Sequence, residues 1–159
     1  MSSGISVEEQ CLTAFSRLKD SHEYKYVLFK IASDNKSIIV DTTSSGPYVE
    51  TPEDVDAAKK ALKEKTEEVL YEEFVALLPE DECRYAVYDL AYVKDGQRNK
   101  ILFYAWAPEV APIRNKMIYA SSKDALRKML VGVAEDIQAT DLDEASHDTV
   151  LEKVMRHVR

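Results

Sequence analysis

Glycine is scarce in this chain, which has only four glycines among 159 residues. A loop that cradles phosphate needs closely spaced glycines, and neither a Walker motif nor a GxGxxG motif is present. No apolar run approaches the roughly 18 residues that a transmembrane helix requires. The opening residues, MSSGISVEEQ, lack a basic segment followed by a hydrophobic one, so no secretory signal is expected. These absences argue against nucleotide-binding and membrane-spanning classes.

Cysteine and histidine are also rare, with two and three residues. Cys11 and Cys83 are too few for a disulfide framework and lack metal-ligand spacing, so we expect two buried free thiols. Cys83 could act as a nucleophile only if a neighbour lowered its pKa; Arg84 would do so, but Glu82 opposes it. No hydrolase motif accompanies it. We therefore expect no catalytic residue, no metal site, no cofactor and no enzymatic activity.

Acidic residues outnumber basic residues, and the two kinds are unevenly distributed along the chain. The net charge of −8 argues against general affinity for nucleic acid. Residues 50–84 carry twelve acidic and five basic side chains, whereas residues 94–128 carry eight basic and three acidic ones. A local basic face on an acidic protein suits an acidic protein surface or anionic lipid headgroups.

The apolar pattern predicts one domain over residues 1–159, built as an α+β fold with helices on both faces of a mixed sheet. A first helix is expected over about 6–20, because Ser6 and Glu9 have the spacing of a capping box. The other expected elements are strands at Tyr24–Ile31, Ser37–Thr43, Arg84–Val93, Lys100–Ala107 and Val131–Ile137, and a C-terminal helix over Asp143–Val158.

Residues 52–78 form a second helical region in the sequence. Thr51, Pro52 and Asp54 resemble an N-cap, a first-turn proline and a capping acid. The first half, over residues 52–68, is dense in charge and has no wide apolar stripe, so we expect it to be exposed to solvent. Val69–Leu78 is expected to pack on the core.

The most informative stretch is WAPEVAPIRNKMIYASSKDALRKML, over residues 106–130. A helix of about five turns is expected from Ile113 to about Val133, with Pro112 tolerated at its start. At 100° per residue, one apolar arc faces the core and Lys116, Lys123 and Arg127 point to water. The arc contains Ile118, Ala125, Leu126, Met129, Leu130 and Val133.

A third stripe on this helix contains Met117, Ser121, Asp124 and Lys128, with Arg114 near its start. It mixes small and charged groups around a flexible methionine, which is typical of a partner-binding surface. The same pattern also fits an ordinary solvated helix flank.

Three ordered blocks of the chain resemble the actin-depolymerising factor/cofilin family. The first is the MSSGISV start and the last is the stretch over residues 106–130, with LEKVMR beyond it. The middle block follows the family's Y-x-x-F-x-x-x-L-P-x-x-x-C-x-Y-A-x-Y-D spacing, at Tyr71, Phe74, Leu78, Pro79, Cys83, Tyr85, Ala86, Tyr88 and Asp89.

The resemblance implies a sheet of five to six mostly antiparallel strands and an actin-binding function. It implies binding to actin monomers and filaments, with a preference for the ADP-bound form, and severing and depolymerisation of filaments. The implied contacts with monomer and filament are Ser3, Gly4, Arg114, Lys116, Met117, Ser122 and Asp124. A second set, implied for filaments only, is Arg98, Lys100, Glu152, Lys153 and Arg156.

The resemblance also implies regulation and location. Phosphorylation of Ser3 would weaken binding, and phosphoinositide headgroups would compete at the basic face. A monomeric protein of the cytoplasmic actin cytoskeleton is expected, with the nucleus as a second location.

Two departures from the family pattern stand out. The charged segment at about 50–68 looks inserted, and we interpret it either as an inert elaboration or as a contact specific to this protein. Glu135 replaces a histidine of some animal members, so a pH response of that origin is not implied. Two alternative functions are a phosphoinositide-binding adaptor and a regulator of the branched-filament nucleating complex with the same fold.

Overall fold

One mixed sheet organises residues 4–158, the part of the chain that this computed structural model describes. The elements in chain order are β1 (Ser6–Val7), α1 (Glu9–Lys19), β2 (Tyr26–Ile31), β3 (Ser37–Thr43), α2 (Val55–Lys63), α3 (Glu67–Ala76), β4 (Arg84–Val93), β5 (Gln97–Trp106), α4 (Ile113–Arg127), β6 (Glu135–Ala139) and α5 (His147–Arg156). The strand order is β1-β3-β2-β4-β5-β6. The four central strands are antiparallel, and the edge strands β1 and β6 run parallel to β3 and β5. The predicted fold class is confirmed.

The sheet separates two apolar cores. Tyr85 and Val87 of β4 lie on the first face, in a core completed by residues of α1 and α4. Tyr88 and Leu90 lie on the second face, with residues of α3 and α5. Because successive side chains of a strand point to opposite faces, a strand covered on both sides reads as almost continuously apolar. That is the pattern of β4.

An aromatic cluster fills the second core. Phe74 of α3 lies 5.1 Å from Tyr88 and 5.0 Å from Tyr104, measured between ring centroids. The Tyr71 hydroxyl lies 2.9 Å from the Tyr104 hydroxyl and donates to the Ala145 carbonyl at 2.6 Å. These hydrogen bonds satisfy buried polar groups and join α3 to the segment before α5.

The N-terminus differs from its prediction. Ser6 and Val7 form strand β1 rather than the first helical turn, and α1 begins at Glu9. The Ser6 amide donates to the Lys36 carbonyl at 3.1 Å, and the Glu8 amide to the Ile38 carbonyl at 3.0 Å. Pairing with an available sheet edge thus satisfies the Ser6 amide, which the Glu9 side chain would have capped in a capping box.

The second helical region is two helices. Asp54, not Thr51, is the N-cap of α2, and its carboxylate accepts from the Ala57 amide at 2.9 Å. Pro52 lies outside the helix. A second N-cap, Thr66, starts α3 by accepting from the Val69 amide at 3.2 Å. The expected exposure of this region is confirmed for α2, which contains no buried residue.

Removal of α2 is expected to leave the fold intact. We expect replacement of residues 53–65 by a short Gly-Ser linker to change the melting temperature by only a few degrees, because surface changes alter stability by about 0.5 kcal/mol or less. Thermal unfolding followed by circular dichroism measures this. A loss of cooperative unfolding would show that α2 supports the core.

The long helix ends earlier than predicted, at Arg127. Tight turns follow, in which the Met129 amide donates to the Leu126 carbonyl at 3.0 Å. Gly132 then adopts a φ of 109°, which favours glycine, and Lys19 closes the turn by donating to the Val131 carbonyl at 2.8 Å. The last strand therefore covers Glu135–Ala139 instead of Val131–Ile137.

Other boundaries also differ from their predictions, and β2 starts at Tyr26 instead of Tyr24. Strand β5 starts at Gln97, three residues before the prediction, because its whole length pairs with β4 from the Val93–Gln97 register onward. Helix α5 starts only at His147, where the Ser146 hydroxyl caps it by accepting from the Thr149 amide at 3.3 Å.

Candidate partner-binding surface

Helix α4 is held on the first face by a few buried side chains. Tyr119, Ser122 and Leu126 are its buried residues. The Tyr119 hydroxyl accepts from the Ile31 amide at 2.9 Å, and the Tyr119 carbonyl accepts from the Tyr85 hydroxyl. The buried side of α4 therefore differs from the predicted apolar arc. The predicted arc lacked Tyr119, which is buried, and included Met129, which is 40% exposed. The sequence periodicity missed this because a tyrosine and a serine pack at the centre of the contact.

The opposite side of α4 carries the stripe that the sequence singled out. We call Arg114, Met117, Ser121, Asp124 and Lys128 the α4 stripe; all five are exposed. Met117 is 65% exposed. Within the described range 4–158, no ion pair involves Arg114 or Asp124. The stripe thus presents one apolar side chain between charges that are available to a partner.

Three basic residues of α4 do not point freely to water, contrary to the prediction. Lys116, Lys123 and Arg127 are half-buried. The Lys116 ammonium donates to the Glu109 carbonyl at 2.6 Å, and the Arg127 guanidinium pairs with Asp136 at 2.7 Å. Lys116 and Lys123 also line a cavity of about 250 Å³ together with Arg84.

Ser122 needs a correction as a contact residue. Its side chain is fully buried beneath α4, where a partner cannot reach it, and we omit it from the surface. A small side chain suits this buried position, because protein interiors are closely packed.

The N-terminal part of the chain lies beside α4. Gly4 is exposed with a φ of 80°, and Ile5 is buried in the core of the first face. Strand β1, which follows directly, contacts α4. Gly4 therefore lies on the same side of the molecule as the α4 stripe. Ser3 lies outside the described residues.

Two members of the second predicted set, Lys100 and Lys153, come together at another place, around the start of β6. Arg98 and Lys100 lie on β5 in register with Leu102 and Tyr104, so they point to the second face. The Lys100 ammonium lies 3.5 Å from Glu135, and the Lys153 ammonium of α5 donates to the Asp136 carbonyl at 2.8 Å. Glu152 and Arg156 are exposed on the same helix.

Two residues that organise this second set were missed by the sequence reasoning. Glu135 lies between Lys100 and His157, whose imidazole nitrogen is 2.5 Å from the Glu135 carboxylate. His157 is exposed, and no sequence motif surrounds it. No local motif could reveal the contact, because β5, β6 and α5 are brought together only by the fold.

The cysteines are buried free thiols, as predicted. Burial raises the pKa of Cys11 to about 12, with a smaller contribution from Glu8. Burial also raises the pKa of Cys83 and outweighs the opposing effect of Lys116 and Arg84. Both thiols therefore stay protonated at neutral pH, which makes them poor nucleophiles.

Comparisons with known proteins agree with this architecture. The sequence profile of the cofilin/tropomyosin-type actin-binding proteins matches residues 4–155. A cofilin of Eremothecium gossypii is 46% identical over 157 residues, which cover 97% of this chain and 94% of that protein. Actophorin of Acanthamoeba castellanii is 39% identical over 158 residues, 99% of each chain.

Solved structures give the same result. The crystal structure of a Streptomyces griseoflavus cofilin has a TM-score of 0.77 and 39% identity, and the match covers 96% of this chain and 98% of that one. Among residues 4–158, none of the helices is both long and apolar enough to cross a bilayer. With its six-stranded sheet, its exposed α4 stripe and these relatives, the chain belongs to the family of cofilin/tropomyosin-type actin-binding proteins.

Proposed function

We propose that this protein binds monomeric and filamentous actin, with a preference for the ADP-bound form, and that it severs and depolymerises filaments. The α4 stripe is the observation that carries the proposal. Met117 is a large apolar side chain at 65% exposure, flanked by Arg114 and Asp124, which form no ion pair among residues 4–158. An apolar anchor within a charged rim is the usual composition of a protein interface.

The location of the two residue sets supports contact with two actin subunits. The α4 stripe and Gly4 lie on the first face, whereas Lys100 and Lys153 belong to the second face, around β6. Surfaces on opposite faces of a sheet can be occupied at the same time. One subunit would bind α4 and the neighbouring subunit would bind the β5–α5 set.

Severing then follows from differential binding. A protein that contacts two neighbouring subunits stabilises the subunit arrangement that it binds best and shifts the filament toward it. Boundaries between bound and bare segments join two different arrangements, and the mismatch weakens the filament there. A preference for ADP-bound subunits would direct this effect to older parts of a filament.

Binding assays with both forms of actin test the proposal. We expect the double variant Arg114→Ala/Lys116→Ala to bind monomers and filaments at least about 10-fold more weakly, the effect of removing one strong contact. Arg98→Ala/Lys100→Ala should weaken filament binding alone. Cosedimentation measures the affinity for filaments, and the fluorescence of labelled actin monomers measures the affinity for monomers.

A matched control removes the same charge elsewhere. Lys59→Ala/Lys60→Ala takes two lysines from α2, which contains no buried residue, and should bind both forms of actin as the wild type does. If the wild-type protein binds neither form, the proposed function is wrong. If Lys59→Ala/Lys60→Ala weakens binding as much as Arg114→Ala/Lys116→Ala, attraction by net charge replaces the α4 stripe as the explanation.

Binding of phosphoinositide headgroups is a second candidate activity. Arg84, Lys116 and Lys123 line one cavity next to the α4 stripe, and such basic clusters attract phosphorylated headgroups. Headgroups bound there would compete with actin for Lys116. A pure membrane adaptor would bind anionic vesicles and ignore actin, which the assays above distinguish.

Regulation through Ser3 is also part of the proposal. A phosphate would add about −1.5 to −2 charges close to Gly4, beside the α4 stripe, and would disturb the contact. We propose that the protein acts as a monomer on the cytoplasmic actin cytoskeleton, with the nucleus as a second location.

A further inference from the structure

The inserted segment forms one wall of a cavity beside the end of α1. Helix α2 contributes Lys59, Leu62 and Lys63 to this wall, and the other walls come from the turn after α1, from α3 and from β4 and β5. The volume is about 460 Å³, within the range of about 300–1,000 Å³ typical of small-ligand sites. We call this space the α2 cavity. It shares no lining residue with the cavity next to the α4 stripe.

Contacts at both ends hold α2 in place beside this cavity. On the N-terminal side, the Arg17 guanidinium donates to the Val49 carbonyl at 2.7 Å and to the Glu50 carbonyl at 2.5 Å. On the C-terminal side, the Lys65 ammonium lies 2.6 Å from the Glu73 carboxylate. Because α2 itself contains no buried residue, these flanking contacts fix its position without a core contact.

The α2 cavity offers two cations that form no ion pair. Lys59 and Lys63 are separated by four residues, so their side chains lie on the same side of α2. No ion pair among residues 4–158 involves either lysine. Lys25 also lines the cavity, but its ammonium is already paired with Glu67 at 2.7 Å. Two neighbouring ammonium groups suit a phosphate group, because lysine binds phosphate as a point charge.

Groups that bind hydroxyls lie in the same cavity. Asp89 is 8% exposed, and its carboxylate accepts from the Asn99 amide at 3.2 Å. The His22 imidazole lies 3.8 Å from this carboxylate. An ionised carboxylate only accepts hydrogen bonds and has about four acceptor positions. Asp89 therefore favours ligand hydroxyl groups over a second anionic group.

Apolar side chains complete the lining of the α2 cavity. Tyr24 and Leu70 are buried, and Leu62 is half-buried. A sugar ring carries its hydroxyl groups at the edge and C–H bonds on its faces, so it can contact apolar and polar groups at the same time. Small-ligand sites combine such an apolar lining with a few polar groups that fix the orientation of the ligand.

We propose that the α2 cavity binds a soluble sugar phosphate. The phosphate would contact Lys59 and Lys63, the sugar hydroxyls would bond to Asp89 and Asn99, and the ring would lie on Leu62. The inserted segment would then be a ligand-binding element. The same chemistry occurs in the headgroup of a phosphoinositide, and the experiment below distinguishes the two sources. The proposal is independent of the proposed function, because it uses neither actin nor the α4 stripe.

Titration with glucose 6-phosphate and ribose 5-phosphate tests the proposal. We expect at least one of them to bind about 10-fold or more tightly than inorganic phosphate and than the unphosphorylated sugar, because each of these lacks part of the contacts. Isothermal titration calorimetry measures the affinities. The ¹⁵N signals of the Asn99 amide and the His22 imidazole should shift with the sugar phosphate, which reports occupation of the cavity.

Variants separate a specific site from general attraction. Lys59→Gln/Lys63→Gln should weaken binding about 10-fold or more, and glutamine keeps the helix propensity of lysine. Lys36→Gln/Lys60→Gln removes the same charge from two exposed lysines outside the cavity. This control should change binding less than about 2-fold, because solvent screens exposed charges. Replacement of residues 53–65 by a Gly-Ser linker removes the α2 wall and should abolish binding in a protein that still folds.

Four results would overturn the proposal. The first is the absence of binding by both sugar phosphates at about 10 mM. The second is binding of inorganic phosphate as tight as that of the sugar phosphate, or equal weakening by both charge variants, which would mean anion attraction only. The third is unchanged binding by the linker variant. The fourth is displacement of the sugar phosphate by vesicles that contain a phosphoinositide, because the cavity would then hold a lipid headgroup.

Discussion

The Met117→Glu variant is expected to bind monomeric actin at least about 30-fold more weakly than the wild type. Met117 is the apolar centre of the α4 stripe, and its exposure of 65% in the free chain would be lost under a partner. Truncation of such an anchor costs about 2–4 kcal/mol, and an unpaired carboxylate buried in its place adds to that cost. Since about 1.4 kcal/mol corresponds to a factor of ten, 30-fold is the lower end of the expected range.

The same substitution should leave the fold undisturbed. Glutamate and methionine have similar helix propensities, and changes at exposed positions alter stability by about 0.5 kcal/mol or less. Val93→Glu is the matched control, because Val93 is 69% exposed on β4, away from the stripe. If Met117→Glu binds monomers within about 2-fold of the wild type, the α4 stripe is not the interface.

Alkaline unfolding is the second large effect that we expect. Burial raises the pKa of Tyr26 to about 12 and raises the pKa values of Tyr71, Tyr85, Tyr88 and Tyr104 as well. In the unfolded chain these phenols would lose their protons near pH 10. The folded state therefore binds more protons than the unfolded state above that pH.

The sign of the effect follows from this difference. Stability from the buried phenols is fully present below about pH 10 and is lost as the pH rises, by about 1.4 kcal/mol per pH unit for each phenol that stays protonated only when folded. Five such phenols give roughly 7 kcal/mol per pH unit, and a typical domain has only about 5–15 kcal/mol in total. We expect cooperative unfolding within about two pH units above pH 10.

Absorbance at 295 nm and circular dichroism over stepped pH values measure this transition. Tyrosinate should appear in the same step in which helical signal disappears. Tyr88→Phe removes one buried phenol, whose hydroxyl donates to Glu67 at 3.2 Å. The slope of the unfolding free energy against pH should then fall by the equivalent of about one proton. Smooth titration of all tyrosines near pH 10 with the fold retained would contradict the buried-phenol explanation.

Residue patterns alone predicted the central strands and the helix that carries the stripe. Strand β4 was predicted at its observed bounds, since apolar residues on both sides of a strand leave few other arrangements. The exposed positions of Met117 and Asp124 were also predicted, because helical periodicity places side chains reliably over four turns. Burial of Cys11 and Cys83 followed from composition and from the absence of any partner motif.

The same reasoning failed where distant segments compete for one stretch of chain. Ser6 has a capping-box pattern, yet the free edge of β3 offers its backbone a better partner. Ser122 belongs to a motif that resembles a contact surface, yet the sheet beneath α4 buries it. Lys116 was expected in water, but the loop before α4 brings the Glu109 carbonyl within 2.6 Å.

The sequence by itself determined the family, the sheet with helices on both faces, and the stripe on α4, because these depend on local periodicity and ordered motifs. Only the tertiary structure decided which parts of the chain meet. It brought Lys100, Glu135 and His157 together from three elements, and it placed Arg84 of β4 in one cavity with Lys116 and Lys123 of α4. Such contacts depend on how strands and helices pack, and that information is spread over the whole chain.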